Sequence, residues 1–240
     1  SASSGSGSSS SGSSTTDTSN GTVVTSFSEL TAAVTKAEKA GGGIVYVKGS
    51  SISCTAQLAL KASNANVSII GVKNSDGTYP VLDFSAFRSA YIGKATTDSE
   101  VGIRISGSKY TIKNLIIQKA PDNGIQIKGS SAGNNTIENC IVRYNNDAGV
   151  QITGGAYSNT MRFVYSYRNC DVYTLGGNAD GFAPKLGAGK GNVFYGCYSW
   201  ENSDDGWDSY DKDSLTYNLT YTNCACWNNG DPTIITGEYD

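Results

Sequence analysis

The 240-residue chain contains no histidine. That absence removes Ser-His-Asp and Cys-His nucleophilic pairs, His-x-x-x-His zinc sites and every imidazole general base. Any chemistry must fall to carboxylates, lysine, tyrosine or a metal. Proline is scarce at 4, methionine scarcer at 1, and charged residues make up only 16%. No apolar run approaches the ~18 residues of a membrane-spanning helix, so no membrane contact is expected. The net charge of −3 leaves no basic face to grip phosphates, so nucleic acid is not an expected partner either. Neither an initiator Met nor an apolar leader opens the chain, so Ser1 is not expected to be the start of translation. What is abundant is glycine, at 29, and tyrosine, at 15, which suits a turn-rich β protein.

Residues 1–20 are almost wholly Ser, Gly and Thr and cannot bury enough surface to offset the entropy of ordering them. They read as a flexible linker of the kind that joins modules of secreted, extracellular proteins, with residues 21–240 as one monomeric folded module. Ser26 with Glu29 forms a capping box, and Phe27, Leu30, Val34 and Ala37 share one helical face before Gly41–Gly43 end it. A short strand, Ile44–Val47, comes next, and the 3.6-residue period does not return.

The rest of the chain is dominated by a repeat. Asp122-Asn123-Gly124, Asp147-Ala148-Gly149, Ala179-Asp180-Gly181 and Asp204-Asp205-Gly206 align with their glycines 25, 32 and 25 residues apart. A second column, Leu115, Cys140, Val164, Cys197 and Cys224, keeps the same phase, with Ala120, Asn145, Asn169, Asn202 and Asn229 five residues on. Two columns in phase at a period near 25, on segments rich in β-branched and aromatic residues, predict an all-β solenoid, a right-handed parallel β-helix. The helix at 27–40 is expected to cap its first coil. The Asn-rich ends, such as Tyr144-Asn145-Asn146-Asp147 and Trp227-Asn228-Asn229-Gly230, are expected to supply left-handed turn residues. Three of the six cysteines fall in the inward column, which predicts mostly unpaired, packed thiols.

The repeat stacks Asp180 on Asp205, about 4.8 Å apart across parallel strands, with Asp204 and Asp208 beside them. Two unit charges at that distance repel by roughly 3 kcal/mol at an effective dielectric near 20, so the group needs either raised pKa values or a cation. Hard oxygen donors without histidine or thiolate favour Ca²⁺. Turn chemistry is the competing reading, since Asp commonly bonds its own backbone in turns. Asn123 and Ala148 at the equivalent position show that the turn itself does not require an acid.

At these residues, Asn178-Ala179-Asp180-Gly181-Phe182 through Lys185-Leu186-Gly187, and Trp200-Glu201-Asn202-Ser203-Asp204-Asp205-Gly206-Trp207-Asp208, the chain resembles the family 9 polysaccharide lyases, pectate lyases built on a right-handed parallel β-helix. The resemblance implies that Asp180, Asp204, Asp205 and Asp208 are Ca²⁺ ligands and that the substrate is polygalacturonate, an acidic plant cell-wall polysaccharide, cleaved by β-elimination. It also implies a base lysine on the next coil, in an Asn-Gly-Phe-Lys-Leu-Gly pattern. Residues 209–240 contain no such pattern, so the chain is expected to be part of a longer lyase, inactive alone beyond a background rate. Lys185 imitates the pattern out of register and is a fallback base, read first as a substrate contact or a surface lysine. Two competitors remain: an inverting polygalacturonase using the same acids, and a non-catalytic β-helix that binds cell-wall polysaccharide. Released ends separate them, being unsaturated for a lyase, saturated for a hydrolase and absent for a binder.

Overall fold

The computed structural model describes residues 16–211, 218–231 and 233. Residues 1–15 of the expected linker lie outside that range, as do residues 234–236 of the segment Thr233-Ile234-Ile235-Thr236, whose sequence reads as the start of a further strand. Every strand pairing among the described residues is parallel. The strands form three sheets, and each coil visits them in turn. The coil of Thr136–Glu138, Ile141–Arg143 and Val150–Thr153 is representative. Its first strand lies between Tyr110–Lys113 and Thr160–Arg162, its second between Ile116–Gln118 and Tyr165–Tyr167, and its third between Ile125–Lys128 and Phe182–Pro184. The result is the right-handed parallel β-helix that the repeat predicts.

Alternation along each short strand sends every second side chain inward. The first sheet stacks Ile112, Ile137, Met161 and Phe194 in one buried column, and the third stacks Ile103, Ile125, Val150 and Phe182. Each such side chain contributes about 1.5–3 kcal/mol of transfer free energy. The helix Phe27–Lys39 starts at the expected capping box, with Ser26 Oγ accepting the Glu29 N–H and Glu29 Oε2 accepting the Ser26 N–H. It buries Leu30, Ala33, Val34 and Ala37 against the first strands, while Phe27 stays partly exposed. A four-residue helix, Ser85–Arg88, is an addition that the pattern does not announce.

The expectation for the turn asparagines is met in part. Left-handed backbone falls on Asn228 and Gly230 as expected, but at the earlier coils on Lys119, Tyr144, Arg168 and Glu201, each one residue before Ala120 or an asparagine of the column. The column asparagines turn inward and form a ladder. Asn145 N–H donates to Asn169 Oδ1, Asn169 N–H to Asn202 Oδ1 and Asn202 N–H to Asn229 Oδ1, each at 3.1 Å. A second ladder runs through Asn135, Asn159 and Asn192. Inside a solenoid the corner N–H groups face the next coil, and an amide side chain that accepts one and donates onward satisfies them without water.

All six cysteines are free. Cys140 and Cys197 are fully buried in the inward column as expected, whereas Cys224, in the last described coil, is only half-buried.

Candidate metal centre

The corner from the second sheet to the third builds the site. Gly149 N–H donates to Asp180 O, Gly181 N–H to Asp205 O and Phe182 N–H to Gly206 O, so the register inferred from the sequence is the one adopted. Gly102 heads the same column one coil earlier, donating to Asn123 O, and was missed because Glu100-Val101 precede it in place of a small polar pair. Glycine is required here by crowding. A Cβ on Gly181 would lie 1.8 Å from Ser199 Oγ and 2.8 Å from its Cβ. The chain must press against the inner face of the second sheet, and the preceding aspartate is thereby pinned at the corner.

Carboxylate oxygens of Asp180, Asp204 and Asp205 lie within 4.8 Å of one another. Asp180 is fully buried, whereas Asp205 opens to solvent. Asp205 N–H donates to Asp180 Oδ1 at 3.3 Å, and Asn178 N–H to Asp204 Oδ2 at 2.7 Å. Asp208 does not join this trio. It lies past the corner on the outer face of the third sheet, in register with Ala183, and its Oδ2 accepts from Lys185 Nζ at 2.7 Å. Lys185 Nζ also donates to Asp180 Oδ2 at 2.9 Å. The expectation of a surface lysine is therefore corrected, since Lys185 is only 8% exposed and its ammonium bridges two acids. Position explains this. Four residues past Gly181, Lys185 points outward from the third sheet, and its stem is long enough to reach back to the corner.

Four carboxylates and one ammonium leave an excess of three negative charges. Burial, reinforced by Asp208 and Asp204 against the opposing pull of Lys185, lifts the Asp180 carboxyl from 3.8 to about 7. Burial, then Asp204 and Asp208, raises Asp205 as well. Burial alone would lower Lys185, but Asp180 and Asp208 more than reverse it and hold the ammonium above the usual lysine range. Burial leads at the two acids, and a shared negative potential adds to all three rises. A divalent cation would relieve it, and the oxygen-only trio suits a hard ion. The same potential argues against Lys185 as a base, because its proton is held by two carboxylates.

Asp122 and Asp147 stand in the same column as Asp204, on the two coils before Asp180, and sequence reasoning did not single them out. Burial raises both, and the charge of Asp122 adds to the rise at Asp147. Their signal was the repeated Asp two residues before the column glycine.

A family model described as the Pel9A-like, right handed beta helix region matches residues 11–239. The chain belongs to that family. Within it, the chain is 34% identical over 192 residues to a pectate lyase L of Paenibacillus polymyxa, covering 76% of this chain and 40% of that protein. It is 32% identical over 132 residues to a pectate lyase L of Dickeya chrysanthemi, covering 55% of this chain and 29% of the relative. The crystal structure of pectate lyase Pel9A superposes with a TM-score of 0.66 at 27% identity, over 85% of this chain and 48% of that one. The chain thus spans less than half the length of each of these proteins.

Proposed function

We propose that this Pel9A-like β-helix carries the calcium centre of a secreted lyase that cleaves polygalacturonate by β-elimination. The observation that carries the reading is the trio Asp180, Asp204 and Asp205, three acids converging from adjacent coils, with Asp180 and Asp205 at a column position that Asn123 and Ala148 fill elsewhere. These residues would hold Ca²⁺, with Asp208 as the fourth ligand that the family resemblance implies. In elimination a base, which the family resemblance implies is a lysine on the next coil, takes the C5 proton α to the sugar carboxylate, the C5–H electron pair forms the C4–C5 double bond, and the C4–O bond breaks with its pair on the neighbouring sugar's oxygen, which is protonated to a hydroxyl. Bound calcium would supply charge neutralisation of the sugar carboxylate and of the enolate-like density that develops on it.

The chain's own residues do the rest of the electrostatic work. Asp180, buried and braced by the Asp205 N–H, fixes the floor of the site. Lys185 balances Asp180 and Asp208 and keeps a cationic group beside the position of an acidic substrate. The proton acceptor is not assigned to Lys185, whose ammonium already serves two carboxylates.

The test is the nature of the ends released from polygalacturonate in the presence of Ca²⁺. Ultraviolet-absorbing 4,5-unsaturated uronides are expected from the protein extended past residue 240, with only background release from residues 1–240. Saturated reducing ends would contradict the reading and favour a hydrolase.

A further inference from the structure

The outer faces of the first and second sheets carry an array that the metal centre does not use. On the second sheet, Tyr165 is in register with Tyr198, and Arg143, Tyr167, Trp200 and Trp227 form the adjacent outward column. The rings stack from coil to coil. Tyr165 and Tyr198 are parallel to within 1° at 5.4 Å, Tyr167 and Trp200 lie 4.4 Å apart, and Trp200 and Trp227 lie 5.1 Å apart within 2° of parallel. Around the corner on the first sheet, Phe163 meets Tyr195 edge-on at 5.5 Å. Phe163, Tyr195, Tyr198 and Trp227 all remain exposed.

Two arginines frame this floor. The Arg162 guanidinium lies 5.6 Å from the Phe163 ring centre and 5.5 Å from that of Tyr195. Arg143 lies 5.2 Å over Tyr144, with Nε donating to Gln118 Oε1 at 2.9 Å and Nη1 to Tyr167 Oη at 3.0 Å. Neither is paired with a carboxylate among the described residues. The nearby acids are already engaged. Glu138, the register neighbour of Arg162, pairs with Lys113 at 3.1 Å, and Glu201 pairs with Arg168 at 2.7 Å. On a chain of net charge −3, two guanidiniums held in place by rings and amides and left without acids form a local positive surface.

A guanidinium fork matches a carboxylate in bidentate geometry, and the outward edges of the stacked rings offer apolar surface to the C–H groups of sugar rings. A polymer of uronic acids offers both features at every repeat. We infer that the face formed by Arg143, Arg162, Tyr165, Tyr198 and Trp200 is a non-catalytic docking surface for an acidic polysaccharide chain, separate from the aspartate centre. The choice of polygalacturonate as probe rests on the proposed function. Such a surface would hold the protein on a polymer that the metal centre engages one segment at a time.

Affinity electrophoresis through a gel containing polygalacturonate tests this, with chelator present so that the metal centre is silent. The wild-type chain is expected to be retarded, and Arg143→Gln/Arg162→Gln to bind at least tenfold more weakly with an unchanged circular dichroism spectrum. Arg162→Lys, which keeps the charge and loses the fork, is expected to fall between them. Equal retardation of wild type and double variant overturns the inference, as does equal retardation by fully methyl-esterified pectin, which lacks the carboxylates. Asp205→Ala is expected to be retarded like wild type. If it alone abolishes retardation, binding occurs at the aspartate centre and the docking surface is refuted while the lyase reading stands.

Discussion

Truncating Asn202 to alanine tests the corner that carries the acids. Asn202 Oδ1 accepts the Asn169 N–H at 3.1 Å and Asn169 Nδ2 at 2.8 Å, while its Nδ2 donates to Ser199 Oγ at 2.9 Å and to Asn229 Oδ1 at 2.8 Å. Asn169 and Asn202 are both fully buried. Asn202→Ala leaves the Asn169 N–H with no acceptor at about 1–3 kcal/mol, and the remaining lost bonds add about 1 kcal/mol. The expected loss is about 3 kcal/mol. Asn229 makes the equivalent bonds to Asn202 at the half-exposed last described coil, where water can replace the amide, so Asn229→Ala is expected to cost only about 1 kcal/mol. Urea denaturation followed by circular dichroism measures both. Equal costs, or less than 1 kcal/mol at Asn202, would refute the view that burial of the ladder fixes the corner.

Three further outcomes are expected. The Asp180 carboxyl is raised in the fold from 3.8 to about 7, so the folded state binds the extra proton. In calcium-stripped protein the associated stability is complete below pH ~4 and is lost as pH rises through about 7, amounting to about 4 kcal/mol, and saturating Ca²⁺ should reduce that loss. A pH series of urea midpoints that is flat between 4 and 8 without calcium would contradict this. Gly181→Ala places a methyl 1.8 Å from Ser199 Oγ and should cost about 1–3 kcal/mol while weakening calcium binding, readable by thermal melts and titration on one sample. All six thiols should react in denaturant without reductant; a count of two or fewer would show that disulfides form.

The solenoid was legible because two columns, the glycines Gly124, Gly149, Gly181 and Gly206 and the Leu115-to-Cys224 series, advanced in phase, and parallel pairing converts phase directly into stacking. The Asp180–Asp205 stack came from the same arithmetic. Lys185 was not legible, because its role depends on how far a flexible stem reaches from an outward strand position, and spacing does not encode reach. Asn228 takes the left-handed turn expected of it, whereas Asn145 stands at an expected corner and performs a different task. Asn is favoured both in left-handed turns and in buried amide ladders, and only the fold shows that Tyr144, Arg168 and Glu201 take the strained backbone while Asn145, Asn169 and Asn202 turn inward. Gly102 escaped because the segment between it and the preceding coil, including the helix Ser85–Arg88, breaks the period.

The most direct test of the central claim is calorimetric titration of the calcium-stripped chain with CaCl₂. One dominant site is expected, abolished by Asp205→Ala, an exposed position whose loss should leave the β-type circular dichroism unchanged. Undiminished calcium affinity in Asp205→Ala would show that the aspartates serve the turns alone.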